Sequence, residues 1–249
     1  MIIVTICHGD SQVENLSRLP ESLFEFSNKI LVVNSNKVKL NLPDYYEIIN
    51  PTHGVANFNA GANRDFAINY AIEKYELDDL VFFDGDCIPD PSWSSCYFEY
   101  FKTNESILYG ARFENGLDGR LTYNKTFNYK PTLHLDRTYK VSSLSEILQH
   151  RILSSCNFGI SKRVLPKLKK KSKIVHSTDR LFYPGFDGVW GGEDSGLALL
   201  AYHSNVEITG LPSNDASVLH IPHNPTRITI KNLEKIVDYN NLVVEKLGV

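Results

Sequence analysis

Two aspartates one residue apart, Asp84 and Asp86, follow directly on the apolar run 80–83 and precede Cys87-Ile88-Pro89. Carboxylates at the C-terminal end of a buried parallel strand project into the crevice where open α/β sheets take their ligands. Two hard oxygen donors at this spacing can share a divalent cation, which in turn neutralises a diphosphate. Gly85 between them lets the backbone come close, although an Asp-Gly pair is also ordinary turn chemistry. A second string, Trp190-Gly191-Gly192-Glu193-Asp194, combines a flat apolar ring, two glycines that permit tight approach to a substrate, and two carboxylates at a helix start. Carboxylates there complement the helix dipole, which favours their ionised form and predicts a lowered pKa, suited to a base that takes a proton from a positioned hydroxyl. The third group is the histidine pair His220 and His223 in Val218-Leu219-His220-Ile221-Pro222-His223. A neutral imidazole can complete a cation shell begun by a carboxylate, whereas a histidine at a strand end is more often a surface or hydrogen-bonded residue.

Elements able to position these groups are legible around them. Apolar runs at 2–6, 30–33, 45–49 and 80–83 have strand length, and their near-continuous apolarity predicts burial on both faces of a parallel sheet. Between them, residues 11–26 and 59–75 carry apolar side chains at helical spacing, the second with Ala60, Phe66, Ala67, Tyr70 and Ala71. The alternation predicts βαβ units. Further on, the pattern predicts a helix over 93–102, a strand over 107–113, a loop or insertion over 114–140, and a strand over 156–160 that leads through Ser161 into 162–170. A helix over 193–203 opened by Gly191-Gly192 and a final amphipathic helix over 229–246 complete the reading. No internal repeat or low-complexity linker marks a boundary.

The chain has 249 residues, 42% hydrophobic and 22% charged, enough to bury a large core. With 26 Lys plus Arg against 29 Asp plus Glu the formal charge is -3, so no global field draws it to nucleic acid. Four cysteines, Cys7, Cys87, Cys96 and Cys156, lack Cys-x-x-Cys spacing, which favours free thiols, a reducing compartment and no structural zinc. No apolar stretch reaches about 18 residues and the N-terminus lacks a basic leader, so the expectation is a cytoplasmic protein. Residues 162–173 hold seven basic side chains, Lys162, Arg163, Lys167, Lys169, Lys170, Lys171 and Lys173. A solvated face accounts for such a run, and so does peripheral contact with anionic lipid at the inner membrane face. Aromatic residues over 123–139 and at Phe182-Tyr183 are either sugar-stacking platforms or packing.

The Asp-Gly-Asp, Trp-Gly-Gly-Glu-Asp and late-histidine motifs, in this order, resemble those of the GT-A fold glycosyltransferases. The similarity is to family 2 and to the β-1,4-galactosyltransferase and polypeptide N-acetylgalactosaminyltransferase relatives, and spans about residues 2–223. It implies an α/β fold with a Rossmann-like nucleotide-binding half, a mixed central sheet and an acceptor-side half, in a single domain over 1–228 with a C-terminal helix over 229–249. The implied activity is metal-dependent inverting transfer of a sugar from a UDP-sugar to a carbohydrate or glycolipid hydroxyl, in surface polysaccharide or glycoconjugate synthesis. By the same resemblance Asp86 ligates Mn2+ or Mg2+, Asp84 contacts the ribose or a metal water, and His220 or His223 returns to the metal, with His220 favoured. Asp194 becomes the base, with Glu193 beside it. Thr5, Asn63 and Arg64 fall on the donor side, and Trp190, Gly191, Gly192 and Asn157 on the acceptor side. Where family 2 members end the second strand with an acidic residue, this chain has Val33-Asn34-Ser35. The alternatives are a nucleotidyltransferase, disfavoured because Cys7-His8-Gly9-Asp10 is no glycine-rich phosphate loop, and a non-catalytic carbohydrate-binding protein that keeps the fold.

Overall fold

The computed structural model describes residues 1–37, 39–51, 59–115, 121–123, 138–150, 153, 156–188, 191–212, 215–221 and 230–249. Trp190 and His223 lie outside the described residues. The chain opens with strand β1 (Ile2–Cys7), helix α1 (Asp10–Arg18), a 3-10 turn (Glu21–Phe24), β2 (Lys29–Asn34), β3 (Tyr46–Ile49) and α2 (Ala60–Lys74). It continues through β4 (Leu80–Asp84), β5 (Cys87–Pro89), α3 (Trp93–Thr103), β6 (Ser106–Tyr109), β7 (Arg112–Asn115), β8 (Leu121–Tyr123) and β9 (Tyr139–Lys140). The last elements are α4 (Leu144–His150), β10 (Asn157–Ile160), α5 (Leu165–His176), α6 (Glu193–His203), β11 (Glu207–Gly210), β12 (Val218–His220) and α7 (Ile230–Leu247).

An eight-stranded sheet runs in the order β3-β2-β1-β4-β10-β6-β11-β9. Its first four strands are parallel, and β10 then enters antiparallel to both β4 and β6. The sheet is therefore mixed, as expected. Every residue of β1 is buried, in keeping with helices on both faces. One face carries Val4, Ile6, Leu80 and Phe82 against α2, α5, α6 and α7; the other carries Ile3, Cys7, Val81 and Phe83 against α1 and α3. Phe82 and Phe158 stack with centroids 4.6 Å apart, and each fully buried ring contributes about 1.5–3 kcal/mol.

Two expected elements divide. The helix foreseen over 11–26 stops at Arg18 and gives way to the 3-10 turn, because Pro20 lacks an N–H and disfavours helical geometry in the residue before it. The strand foreseen over 107–113 breaks at Gly110-Ala111: β6 stays in the large sheet, while β7 joins a second sheet of order β5-β12-β7-β8. That second sheet brings β12 beside β5, and so His220 beside the residue that follows Asp86. Among the described residues no helix is long and apolar enough to cross a membrane. All four cysteines are buried, and among the described residues none forms a disulfide.

Candidate active site

The C-terminal ends of β1 and β4 and the start of α6 supply the groups that converge. Asp84 ends β4 in register with Ile6 of β1, so its side chain leaves the sheet on the α2 face. The turn after it is fastened from three sides: Gly85 N–H donates to the Ile6 carbonyl at 3.0 Å, Asn15 Nδ2 donates to the carbonyls of Gly85 and Cys87, and Ile221 N–H donates to the Asp86 carbonyl at 2.8 Å. A Cβ at Gly85 would lie 2.8 Å from the Ile6 carbonyl oxygen, which explains the glycine between the two aspartates. Asp86 Oδ2 stands 3.7 Å from His220 Nε2 and 3.4 Å from Gln12 Nε2. Arg112 Nη2 donates to His220 Nδ1 at 3.0 Å.

Ahead of α6, Gly191 (φ +77°) and Gly192 (φ +108°) occupy left-handed geometry that side chains strain to adopt, and a Cβ at Gly192 would lie 2.9 Å from the Phe186 ring. Helix α6 starts immediately afterwards. Asp194 is half-buried and its Oδ1 accepts the Ser195 N–H at 2.7 Å. Glu193 is buried and accepts from Arg64 Nη1 at 3.2 Å, while Arg64 Nη2 donates to Asp84 Oδ1 at 2.8 Å. The expected lowering of the carboxylate pKa at this helix start is reversed at Glu193. Burial pushes it up to about 7, the Asp194 charge adds to the rise, and Arg64 opposes it. Removal from water outweighs the dipole here. Asp84 is likewise raised by burial, against the pull of Arg64.

Several sequence-expected residues fall elsewhere. Thr5 lies inside β1 on the face of Ile3 and Cys7, opposite the face of Asp84, and is fully buried. Asn157 is not turned to an acceptor: its Oδ1 accepts from Trp93 Nε1 (2.8 Å) and Tyr97 Oη (2.9 Å), and its Nδ2 donates to the carbonyls of Ala111 and Ala216 (2.8 Å each). Both ends of the carboxamide are spent bracing α3 against the second sheet. Phe182 packs on Phe158 as core. Asn63 is fully buried, and among the described residues neither carboxamide atom has a hydrogen-bond partner. Arg64 is 1% exposed and bridges Asp84 and Glu193. Among the described aromatic residues, Tyr183 stacks on Tyr239.

His8 was missed. It follows β1, its Nδ1 meets the Ser35 hydroxyl, and burial together with nearby Arg64 lowers its pKa, while Asp86 acts in the opposite sense. The signal available was position alone: like Asp84, it follows an apolar parallel strand. Gln12 and Arg112 had no comparable signal.

Among the described residues no three or more His, Cys, Asp and Glu side chains form a metal-holding group. Asp86 and His220 nonetheless fit as two protein donors to a hard or borderline divalent ion whose other positions go to water and phosphate oxygens. Arg112 donating to Nδ1 puts the proton of a neutral ring on Nε2, so ligation through Nε2 would need that proton on Nδ1 and the Arg112 donor turned away.

No protein-family model matches the sequence, and no curated protein matches it. Solved structures do resemble the fold. The crystal structure of GalNAc-T7 with UDP, GalNAc and Mn2+ superposes with a TM-score of 0.61 at 15% identity, over 95% of this chain and 47% of that one. S. aureus TarS 1-349 superposes with a TM-score of 0.61 at 14% identity, over 98% of this chain and 64% of that one. The chain thus spans about half to two thirds of the solved chains it matches. These likenesses show the GT-A glycosyltransferase fold, with its large mixed central sheet.

Proposed function

We propose that this protein is a metal-dependent glycosyltransferase that moves a sugar from a UDP-sugar to a carbohydrate or glycolipid hydroxyl with inversion. One observation carries this: Arg64 joins Asp84 at the end of β4 to Glu193 at the start of α6, and Asp86, two residues after Asp84, stands 3.7 Å from His220, within a GT-A fold. The UDP, GalNAc and Mn2+ in the GalNAc-T7 structure support the donor class and the ion. Asp86 and His220 would hold the cation, which when bound offsets charge on the diphosphate. Asn63, whose buried carboxamide has no partner among the described residues, is assigned to the donor side, since an orphaned buried amide is costly until a ligand pairs it.

Asp194 acts as the base. It takes the proton of the acceptor hydroxyl as that oxygen attacks the anomeric carbon, and the bond from that carbon to UDP breaks on the opposite face with its electron pair leaving on the phosphate oxygen. A single displacement inverts the anomeric centre. Gly191, where a Cβ would meet nothing within 4 Å, leaves space for the acceptor ahead of α6. The test is UDP release from a panel of UDP-glucose, UDP-galactose and their N-acetylated counterparts, with water and simple sugars as acceptors. Release from at least one donor that rises with a sugar acceptor is expected; no release from any of them would contradict the proposal.

A lipid-linked acceptor is supported by α5 and the residues before it. Lys162 and Lys170 are exposed, Lys171 is half-buried, and among the described residues none of the three has a carboxylate partner. Replacing all three by glutamine is expected to weaken sedimentation with phosphatidylglycerol vesicles by about fivefold per residue, the worth of roughly 1 kcal/mol each. Equal sedimentation of the wild type with phosphatidylglycerol and phosphatidylcholine would leave the run a solvated face.

A further inference from the structure

Arg64 belongs to neither end of the site alone. It donates to Asp84, which ends β4, and to Glu193, which precedes Asp194 at the start of α6. Its guanidinium carbon also lies 5.9 Å from the centroid of the Phe158 ring. The two helices close on each other at the same place: a Cβ at Gly61, in the first turn of α2, would lie 3.0 Å from Phe182 Cβ and 3.4 Å from Glu193 Cβ. A planar fork held between two carboxylates and packed beside a ring has little freedom, and a lysine cannot reproduce its two-directional donation. Stability alone is a poor reason for such a buried group, because the cost of desolvating three charges offsets much of their attraction. What a rigid bridge does supply is distance.

We propose that Arg64 is a positioning residue that fixes the start of α6, and with it Asp194, relative to the carboxylates at the end of β4. Its consequence for transfer rests on the glycosyltransferase activity proposed above; the bridge itself does not. Loss of the fork would leave the donor groups able to bind while the base drifts, and a displacement of about 1 Å at reacting groups costs on the order of 10²-fold.

The test uses Arg64→Lys, which keeps the charge and removes the fork. UDP affinity in the presence of Mn2+ is expected to change by less than about fivefold, while kcat for UDP release from the donor the wild type turns over best falls by about 10²-fold. A kcat that holds, or falls only as far as UDP affinity does, would overturn the proposal. Should Arg64→Lys fail to fold, Glu193→Gln weakens only the α6 end of the bridge, and about a tenfold loss of kcat at wild-type UDP affinity is expected. Normal turnover in that variant would contradict the positioning role. If the wild type neither binds UDP nor turns over any donor, the proposed activity has failed and amide hydrogen exchange decides the bridge. Faster exchange at Ser195 and Gly196 in Arg64→Lys, or in Glu193→Gln if the first does not fold, supports it, and unchanged exchange overturns it.

Discussion

Asp194→Asn is expected to bind UDP with Mn2+ as tightly as the wild type and to lose transfer by about 10²–10⁴-fold, the usual worth of a general base. The carboxylate is half-buried in the first turn of α6, two residues after Gly192, and it borders the space proposed for the acceptor. Asparagine preserves volume and the carbonyl oxygen that accepts the Ser195 N–H, which separates loss of proton transfer from loss of the helix start. Comparison of UDP release in the two proteins, with UDP affinity measured alongside, checks this. Near-wild-type turnover would remove Asp194 from the role of base and with it the prediction of inversion. Glu193, one residue earlier, is a weaker candidate because its carboxylate is buried against Arg64.

Asp86→Ala is expected to abolish the Mn2+-dependent part of UDP binding altogether. Asp84 cannot substitute directly, since its Oδ1 already accepts from Arg64 at 2.8 Å. His220 alone offers one nitrogen, too little for a hard ion that prefers oxygen donors. The fold should survive the change, because backbone carbonyls and amides hold the turn at Asp86 through Asn15, Ile6 and Ile221. Calorimetric titration of the variant with UDP and Mn2+ measures it, and wild-type affinity would take Asp86 out of the donor site.

Much of the scaffold is legible because it is encoded locally. The near-continuous apolar runs of β1, β2 and β4 need no partner to be recognised, and α6 begins where Gly191-Gly192 makes a helix impossible to extend backwards. The placement of Asp84 and Asp86 at a strand end follows from the same local pattern. What stays hidden depends on partners far along the chain. Asn157 looks the same in sequence whether it faces a ligand or the core, and its role is settled by Trp93 and Tyr97, about sixty residues away. The Arg64 bridge joins residues 129 apart. Burial reverses the expected pKa shift of Glu193, and burial is a property of the packed chain, not of a helix start. The split of 107–113 into two sheets likewise depends on β12 arriving beside β7 from over a hundred residues later.

Titration of UDP into the purified wild-type protein, first with Mn2+ and then with excess EDTA, tests the central claim most directly. Binding that requires Mn2+ and disappears with EDTA is the predicted result, and it would show that the protein takes a nucleoside diphosphate and a cation together, as a site at Asp86 and His220 requires. Absence of UDP binding with Mn2+ present would contradict the donor site and return Asp84 and Asp86 to the role of turn residues.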